Sequence, residues 1–497
     1  MSTTLESIQA QVAQLRPEGR AYIDGEYCSA VSGQTFDCIS PSTGKVIASV
    51  ASCQSADVDR AVQAARRSFQ SGVWSELSPR DRKRILLKLA ELIQQNAHEL
   101  GILETIDMGK PISDSQKVDI PLVAECFAWF AESVDKIYDE VAPVARGNLA
   151  MITREPVGVV GAVVPWNFPL LMAAWKLAPA LAVGNSVVLK PAEQSPLTAL
   201  RLAQLASEAG LPKGVLNVVP GFGETAGKAL GLHPDVDCIA FTGSTEVGKY
   251  FMQYSGQSNL KRVWLECGGK TPVIVMGDCH DLDMAARSAA FGIFYNQGEV
   301  CNAGSRLLLH QSIKEPFLEK LLGWAQKLQP GDPLDPKTRM GAIVDEKQMQ
   351  RILGYIEKGK EQGAQLLTGG QRVRQESGGF YIQPTVFDQV NNDMVIAREE
   401  IFGPVLSVLT FDQLDQAVNI ANDTIYGLAA AIWTRDINVA HRTARALRAG
   451  VVWVNCFDTG EMSTPFGGYK QSGSGRDKSL HALDKYVDLK TTWVKLH

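Results

Sequence analysis

From Pro156 onward the hydrophobic positions fall into short uninterrupted apolar runs, which alternate with amphipathic stretches of helical spacing. Uninterrupted apolar strands are typical of parallel sheets whose two faces are both covered by helices. One series of runs ends before Gly268-Gly269-Lys270, and a second series begins after it. The predicted strands are 157–164, 186–189, 215–219, 238–241 and 262–265 in the first series, and 272–275, 306–309, 405–409, 428–433 and 451–454 in the second. The fold predicted is α/β, with two doubly wound parallel-sheet domains.

Two segments break this alternation. Residues 141–155 have no helical period and predict a pair of extended strands, and residues 486–495 alternate like a further strand. Because the free edges of such strands need partners for their backbone groups, we predict that these segments form a small β arm used in oligomerisation.

The composition mainly excludes classes of protein. A chain of 497 residues is too long for one core, and its net charge of −5 offers no electrostatic footprint for nucleic acid or an anionic membrane. The longest apolar run, 157–164, is too short to cross a bilayer. Nine cysteines without a CxxC pair and seven scattered histidines argue against a disulfide framework and predict no metal site. A reduced, cytoplasmic protein is expected.

The candidate nucleophile is Cys301. It lies between Gly298 and Gly304 and is flanked by small and polar residues. A thiol is a nucleophile only as thiolate, which nearby amides or positive charge must favour. The glycines permit close backbone approach, so the Cys301 amide is predicted to point at a bound oxyanion. No histidine accompanies the cysteine, so activation is expected from amides and from a cationic cofactor such as an oxidised nicotinamide. The alternative is a buried structural cysteine.

Two further groups stand at the ends of predicted strands. Glu266 closes an apolar strand, where partial desolvation should raise its pKa and suit it to act as a general base on water; otherwise it is a surface glutamate. Asn167 either donates its side-chain amide to an oxyanion or caps the helix that follows it.

Other strand ends carry groups suited to a dinucleotide. Residues 243–250 nearly match a phosphate-binding P-loop, but Tyr250 replaces the Ser or Thr that would hold magnesium. A diphosphate on the helix N-terminus, with the Ser244 hydroxyl as donor, is the better interpretation, although a P-loop nucleoside triphosphatase stays open. Lys190 and Glu193 either bracket a ribose diol or form a solvated turn.

Seven motifs together resemble the NAD(P)-dependent aldehyde dehydrogenase family along nearly the whole chain. They are PWNFP at 165–169, KPAE at 190–193, FTGSTEVG at 241–248, LECGGK at 265–270, QGEVC at 297–301, EEIFGP at 399–404 and PFGGYK at 465–470. The resemblance implies that Cys301 is the nucleophile, that Glu266 is the base, and that Asn167 forms the oxyanion hole together with the Cys301 amide.

The resemblance also implies NAD as cofactor. The implied contacts are Lys190 and Glu193 to the adenosine ribose, Trp166 and Ser244 to the pyrophosphate, and Gln348 and Glu400 to the nicotinamide ribose, with Pro165, Gly243 and Phe402 completing the site. Because Glu193 would repel a 2′-phosphate, we expect NAD to be preferred over NADP.

The sequence around Asp477 indicates which group of aldehyde dehydrogenases the chain resembles. Many family members have Gly-Arg-Glu where this chain has Gly475-Arg476-Asp477. This run, with residues 478–483 and 150–156, is similar to the bacterial γ-glutamyl-γ-aminobutyraldehyde and 4-guanidinobutyraldehyde dehydrogenases, which implies a C4-type aldehyde with a polar or cationic ω-end from putrescine, other polyamine or arginine breakdown. The residues predicted to wall its channel are Phe168, Trp175, Tyr295 and Phe466, with Asp458 and Glu461 at the mouth either attracting positive charge or only solvating a loop.

The family organisation implies a cofactor domain of residues 1–139 and 157–267, a catalytic domain of 268–480, and an oligomerisation arm of 140–156 and 481–497 in a homotetramer or homodimer. Three other functions stay open: a broad aliphatic or betaine-type aldehyde dehydrogenase, a cysteine acyl hydrolase that needs no NAD, and a non-catalytic binding protein on the same fold.

Overall fold

The fold is described from a computed structural model over residues 4–496; residues 1–3 and 497, at the ends of two predicted domain ranges, lie outside the described residues. Two α/β domains with largely parallel sheets and several small antiparallel sheets make up the architecture, which confirms the predicted fold class. The individual domain boundaries stay a prediction.

The first sheet has five parallel central strands whose apolar side chains are buried between two helical layers. In sheet order these strands are Leu216–Val218, Ser186–Lys190, Val159–Val163, Cys238–Gly243 and Arg262–Cys267. Antiparallel strands extend both edges, namely Ala21–Ile23 with Glu26–Cys28 on one side and Gly473–Ser474 on the other. The strand order reverses between Val159–Val163 and Cys238–Gly243, and open α/β sheets bind ligands beyond the carboxyl ends of strands at such a point.

The second sheet has six parallel strands and one antiparallel edge strand. In sheet order its strands are Gln365–Thr368, Thr385–Asp388, Val405–Phe411, Arg306–His310, Pro272–Val275, Ala429–Trp433 and Val451–Val454. Cys301 precedes the amino end of Arg306–His310. The carboxyl edge of the first sheet therefore faces the amino edge of the second, and the site described below lies between these edges.

Helices cover both sheets. The α-helices are Leu5–Gln14, Ser55–Gln70, Pro79–Gln95, Ala97–Met108, Ile112–Asp114, Ile120–Ser133, Pro169–Ala182, Leu197–Ala209, Lys228–Leu232, Thr245–Gln257, Leu282–Phe294, Lys314–Lys327, Glu346–Glu361, Val395–Arg398, Leu414–Asn422 and Ile437–Ala446. None of these helices, within residues 4–496, is both long and apolar enough to span a membrane.

A third sheet joins the two segments that broke the alternation. Val487–Lys495 pairs antiparallel with Asn148–Pro156 over nine residues, and Glu140–Ala142 pairs with the other side of Asn148–Pro156. The remaining strand pairs are Thr35–Ile39 with Val46–Ala51 and Arg372–Val373 with Tyr381–Ile382. The strands expected in these arm segments are therefore present.

Candidate active site

A cleft of about 790 Å³ opens at the point where the strand order of the first sheet reverses. Seven of the nine residues predicted to hold a cofactor line it: Pro165, Trp166, Gly243, Ser244, Gln348, Glu400 and Phe402. The other two, Lys190 and Glu193, are not among the lining residues, but Lys190 ends the strand beside Val159–Val163. The cleft therefore brings most of the predicted cofactor residues together.

The end of the cleft nearest the first sheet carries a helix N-terminus. Ser244 caps the helix Thr245–Gln257 by accepting a hydrogen bond from the Val247 amide at 3.2 Å, which leaves the Ser244 hydroxyl hydrogen free to be donated. Lys190 is almost completely buried and lies 3.0 Å from a carboxylate oxygen of Glu193. A buried, paired lysine is not part of a solvated turn, so that alternative interpretation is wrong.

The opposite wall of the cleft is held by Gln348. Its side-chain amide donates to the carbonyl oxygens of Ile401 at 3.1 Å and Phe402 at 2.7 Å. These bonds hold the Phe402 ring 5.2 Å from the Trp166 ring, centroid to centroid. Gln348 has both amide hydrogens engaged, so only its oxygen is free for a bound molecule.

The carboxylate of Glu400 lies at the base of the cleft. It accepts a hydrogen bond from the Gly269 amide at 3.0 Å, and a Cβ at Gly268 would collide with it. Burial raises the pKa of Glu400 to about 7. A helix N-terminus, a carboxylate acceptor and facing aromatic rings are the groups that a dinucleotide with its pyrophosphate and ribose hydroxyls requires, so the cleft fits NAD.

A second, larger cavity meets the cleft at Cys301. Phe168, Trp175, Tyr295, Asp458 and Phe466, all predicted to contact substrate, line it. The Trp175 and Phe466 rings lie 5.4 Å apart, and the Phe168 and Tyr295 rings are stacked at 6.3 Å. Because Cys301 lines both cavities, it is not a cysteine buried within the core.

The loop that carries Cys301 is held by unusual backbone geometry. Asn296, Gln297 and Gly298 all have positive φ, at 46°, 58° and 73°. The side chain of Gln297 accepts from the Gly341 amide at 2.8 Å, and the fully buried Glu299 carboxyl accepts from the Val344 amide at 3.1 Å. These contacts stabilise the strained loop and fix the position of Cys301.

Asn167 lies against the same loop. Its side-chain amide donates to the Glu299 carbonyl at 2.9 Å, and the side-chain amide of Asn296 donates to the Asn167 carbonyl at 3.0 Å. The helix Pro169–Ala182 begins after Phe168 without any side-chain cap. The expectation that Asn167 caps this helix is therefore wrong, and one of its two amide hydrogens is free.

The electrostatic environment of Cys301 differs from expectation. Burial raises the pKa of its thiol, and the carboxyl groups of Glu266, Glu400 and Asp458 raise it further. A hydrogen bond from the Asn302 amide opposes these effects but does not overcome them. The protein groups alone therefore do not favour the thiolate, so the activation expected from amides and a cationic cofactor would depend on the cofactor; sequence spacing did not show how many carboxylates surround the sulfur.

Glu266 is buried at the wall of the cleft, and one of its carboxylate oxygens has no hydrogen-bond partner among the described residues. Burial raises the pKa of Glu266 well above its usual range, and the negative charge of Asp477 raises it further. The predicted direction of this shift is confirmed, and the alternative of a surface glutamate is wrong.

A cluster of buried charged residues near Glu266 was not predicted from the sequence. Lys176 and Lys485, both buried, form ion pairs with the two carboxylate oxygens of Asp477. Asp477 was noticed only as a departure from a motif. Lys176 did carry a signal, because it is the only charged residue in the otherwise apolar helix Pro169–Ala182, where an unpaired charge would be costly.

The mouth of the larger cavity is rich in charge. Asp458 accepts a hydrogen bond from the Asn302 side chain at 2.7 Å, and restricted hydration raises its pKa although its surface is open to the cavity. Glu125, Glu461 and one lysine, Lys478, also line the cavity. Among residues 4–496 no group of three or more His, Cys, Asp or Glu side chains is placed to hold a metal ion.

The sequence profile described as "Aldehyde dehydrogenase family" matches residues 27–492. The chain belongs to the aldehyde dehydrogenase family. It is accordingly an NAD(P)-dependent oxidoreductase that converts aldehydes, which confirms the implied enzyme class and cofactor. The preference for NAD over NADP stays a prediction.

Individual aldehyde dehydrogenases are similar over almost their full length. The NADP/NAD-dependent aldehyde dehydrogenase PuuC of Escherichia coli (strain K12) is 54% identical over 488 residues, 98% of each chain. The crystal structure of γ-glutamyl-γ-aminobutyraldehyde dehydrogenase from Burkholderia cenocepacia J2315 is 62% identical with a TM-score of 0.98, covering 99% of this chain and 100% of that one. An indole-3-acetaldehyde dehydrogenase complexed with NAD+ is 60% identical with a TM-score of 0.99 over the same shares.

Proposed function

We propose that this aldehyde dehydrogenase oxidises aldehydes that carry an ammonium or guanidinium group at the ω-end, such as 4-aminobutyraldehyde, γ-glutamyl-γ-aminobutyraldehyde and 4-guanidinobutyraldehyde. The observation that supports this most directly is the mouth of the larger cavity, where Glu125, Asp458 and Glu461 outnumber a single lysine. The Trp175 and Phe466 rings behind these acids add aromatic surface for an ammonium or guanidinium group. The names of the similar enzymes agree with this class.

Cys301, Asn167 and Glu266 have successive roles in this proposal. The Cys301 thiolate attacks the aldehyde carbon, and the free amide hydrogen of Asn167, with the Cys301 amide, stabilises the oxyanion. NAD, when bound in the cleft, accepts the hydride that turns the thiohemiacetal into a thioester. Glu266 then removes a proton from water, which attacks the thioester and releases the acid.

Residues in and near the cleft would each bind a different part of NAD. Ser244 and Trp166 would lie at the pyrophosphate, Lys190 and Glu193 at the adenosine ribose, and Glu400 at the nicotinamide ribose. Gln348 supports the Phe402 segment and offers one oxygen. The carboxyl groups of Glu266, Glu400 and Asp458 raise the pKa of the Cys301 thiol, which supports a need for positive charge beside the sulfur.

The aromatic residues of the larger cavity favour a second substrate class, the aryl acetaldehydes. Phe168, Trp175, Tyr295 and Phe466 form an aromatic lining, which suits the planar ring of an aryl acetaldehyde. An enzyme named for indole-3-acetaldehyde is also similar to this chain. Comparing kcat/KM for 4-aminobutyraldehyde, 4-guanidinobutyraldehyde, indole-3-acetaldehyde and hexanal, with NAD and with NADP, separates the two classes. A preference for hexanal or the indole over both cationic aldehydes would contradict the proposal.

Neutralising the acids of the mouth tests the proposal at the level of residues. In Asp458→Asn/Glu461→Gln we expect kcat/KM for 4-guanidinobutyraldehyde to fall about 5- to 10-fold relative to hexanal, because the two solvent-accessible charges together contribute about 1 to 1.4 kcal/mol. Glu315→Gln/Glu319→Gln, which removes two exposed acids outside both cavities, is the control for net charge. If the ratio of kcat/KM for 4-guanidinobutyraldehyde to that for hexanal is unchanged in Asp458→Asn/Glu461→Gln, these two acids do not recognise the charge of the substrate.

We also propose that the chain forms a homo-oligomer, a tetramer or a dimer, through the third sheet. Leu489 and Trp493 are 66% and 63% exposed, lie four residues apart on one face of Val487–Lys495, and would be costly to leave in water. We expect Leu489→Lys/Trp493→Lys to lower the molar mass in sedimentation equilibrium to that of a smaller assembly. A mass equal to that of the wild type would contradict this use of the arm.

A cytoplasmic location is proposed on the state of the cysteines. All nine are free thiols, which is the usual condition in a reducing compartment.

A further inference from the structure

Lys478 is a cation inside a cavity that otherwise offers acids and aromatic rings. Its Nζ lies 5.8 Å from the centroid of the Trp175 ring, and a Cβ at Gly460 would lie 3.2 Å from it. The amine therefore rests against the loop 458–461, whose two ends are Asp458 and Glu461. A cationic ω-end does not account for this lysine, because like charges repel.

The amine of Lys478 is also unsatisfied. Within residues 4–496 no hydrogen bond or ion pair of 4.0 Å or less holds it. Lys176 and Lys485, by contrast, are both paired with Asp477. Partial burial lowers the pKa of Lys478, while the more distant carboxyl groups of Asp458, Glu461 and Glu125 favour its charged form. An unpaired cation that faces a cavity is a group suited to bind an anionic part of a ligand.

One cavity thus has a cationic donor, Lys478, beside the loop that carries the acceptors Asp458 and Glu461. An α-amino acid end carries an ammonium and a carboxylate on the same carbon, so it needs acceptors and a cationic donor within a few ångströms of each other. Loop 458–461 and Lys478 together meet this need. A free ω-amine would bind only the acids, and an indole ring would bind neither the acids nor Lys478.

We propose that Lys478, with Asp458 and Glu461, selects aldehydes whose far end is zwitterionic, with a carboxylate beside an ammonium as in a γ-glutamyl group. Lys478 binds the carboxylate, and the two acids bind the ammonium. This inference rests on the proposed function, since it refines the charge class that the same channel accepts.

Three matched substrates separate the two charges. N-γ-glutamyl-4-aminobutyraldehyde has both, N-glutaryl-4-aminobutyraldehyde lacks only the ammonium, and N-(4-aminobutanoyl)-4-aminobutyraldehyde lacks only the carboxylate. Each is measured with NAD in the wild type, in Lys478→Met and in Lys478→Arg, with hexanal as the uncharged reference. Lys327→Met is the matched control, because Lys327 also lies on a tryptophan face, 4.2 Å from the Trp324 ring centroid, but outside both cavities.

In Lys478→Met, kcat/KM for the γ-glutamyl and glutaryl substrates should fall roughly 10- to 100-fold relative to the 4-aminobutanoyl substrate, as expected for loss of a charged hydrogen bond. Lys478→Arg should restore most of this selectivity, and Lys327→Met should leave it intact. A role of Lys478 in folding alone would lower all rates together with the melting temperature and would overturn the proposal.

Failure of this inference is distinguishable from failure of the proposed function. If the wild type prefers the 4-aminobutanoyl substrate to hexanal but Lys478→Met affects all three amides equally, the zwitterion assignment is wrong and the cationic class stands. If the wild type oxidises hexanal better than both ammonium-bearing substrates, both proposals are wrong.

Discussion

In Cys301→Ala we expect NADH formation from any aldehyde to fall to background, at least roughly 10³-fold below the wild type. The reason is geometric: Cys301 is the side chain at which the NAD-sized cleft and the aromatic cavity meet. Without its sulfur no covalent adduct forms, so no hydride donor is generated. The measurement is steady-state and single-turnover absorbance of NADH with 4-aminobutyraldehyde as substrate.

The control for this experiment is Cys279→Ala. Cys279 is half-buried, like Cys301, but lies outside both cavities at the start of the helix Leu282–Phe294. Its activity should match the wild type, and both variants should retain the wild-type melting temperature and NAD affinity. Sustained NADH production by Cys301→Ala would show that another group attacks the aldehyde.

In Glu266→Gln we expect the two halves of the reaction to separate. Acylation does not require the Glu266 base, so about one equivalent of NADH per active site should appear in a rapid burst. Steady turnover should then be roughly 10²- to 10⁴-fold below the wild type, which is the usual contribution of a positioned general base. Stopped-flow absorbance measures the burst, and quenched protein analysed by mass spectrometry detects the accumulated thioester.

The pH dependence gives a second test of Glu266. Because burial raises the pKa of Glu266 well above its usual range, the carboxylate form needed for a base becomes more abundant as pH rises through neutrality. Deacylation in the wild type should therefore accelerate with pH, whereas Glu266→Gln should lose this dependence. Loss of the burst in Glu266→Gln would instead assign Glu266 to the attack of Cys301 on the aldehyde.

Local patterns predicted most of the fold. The helix Leu197–Ala209 and the strands Pro272–Val275 and Val451–Val454 have the predicted bounds, because apolar periodicity and the glycine at position 210 mark their ends. The rule that ligands gather at strand ends also placed Glu266 and Asn167 at the cleft. These are properties of neighbouring residues, which the sequence displays directly.

What the sequence did not show depends on contacts between distant residues. The partner of Lys176 is Asp477, 301 positions away, and the edge strand Gly473–Ser474 joins a sheet whose other members all end before residue 268. The pKa of Cys301 likewise depends on carboxylates brought together from three separate segments. No local period predicts such encounters, so the carboxylates around the thiol could not be predicted from the sequence, and the role of Cys301 as nucleophile stays a prediction.

The stretch from Gly473 to Lys495 supplies an edge strand, the carboxylate that holds Lys176 and the outer strand of the third sheet. During translation this stretch leaves the ribosome only after all the other strands of both large sheets have been synthesised. A nascent chain can therefore assemble its hydrophobic interior early while the pocket around Glu266 is still incomplete. Aldehyde oxidation, and the thiol reactivity that accompanies it, consequently begins only after the stretch Gly473–Lys495 has been synthesised and has folded onto the rest of the chain.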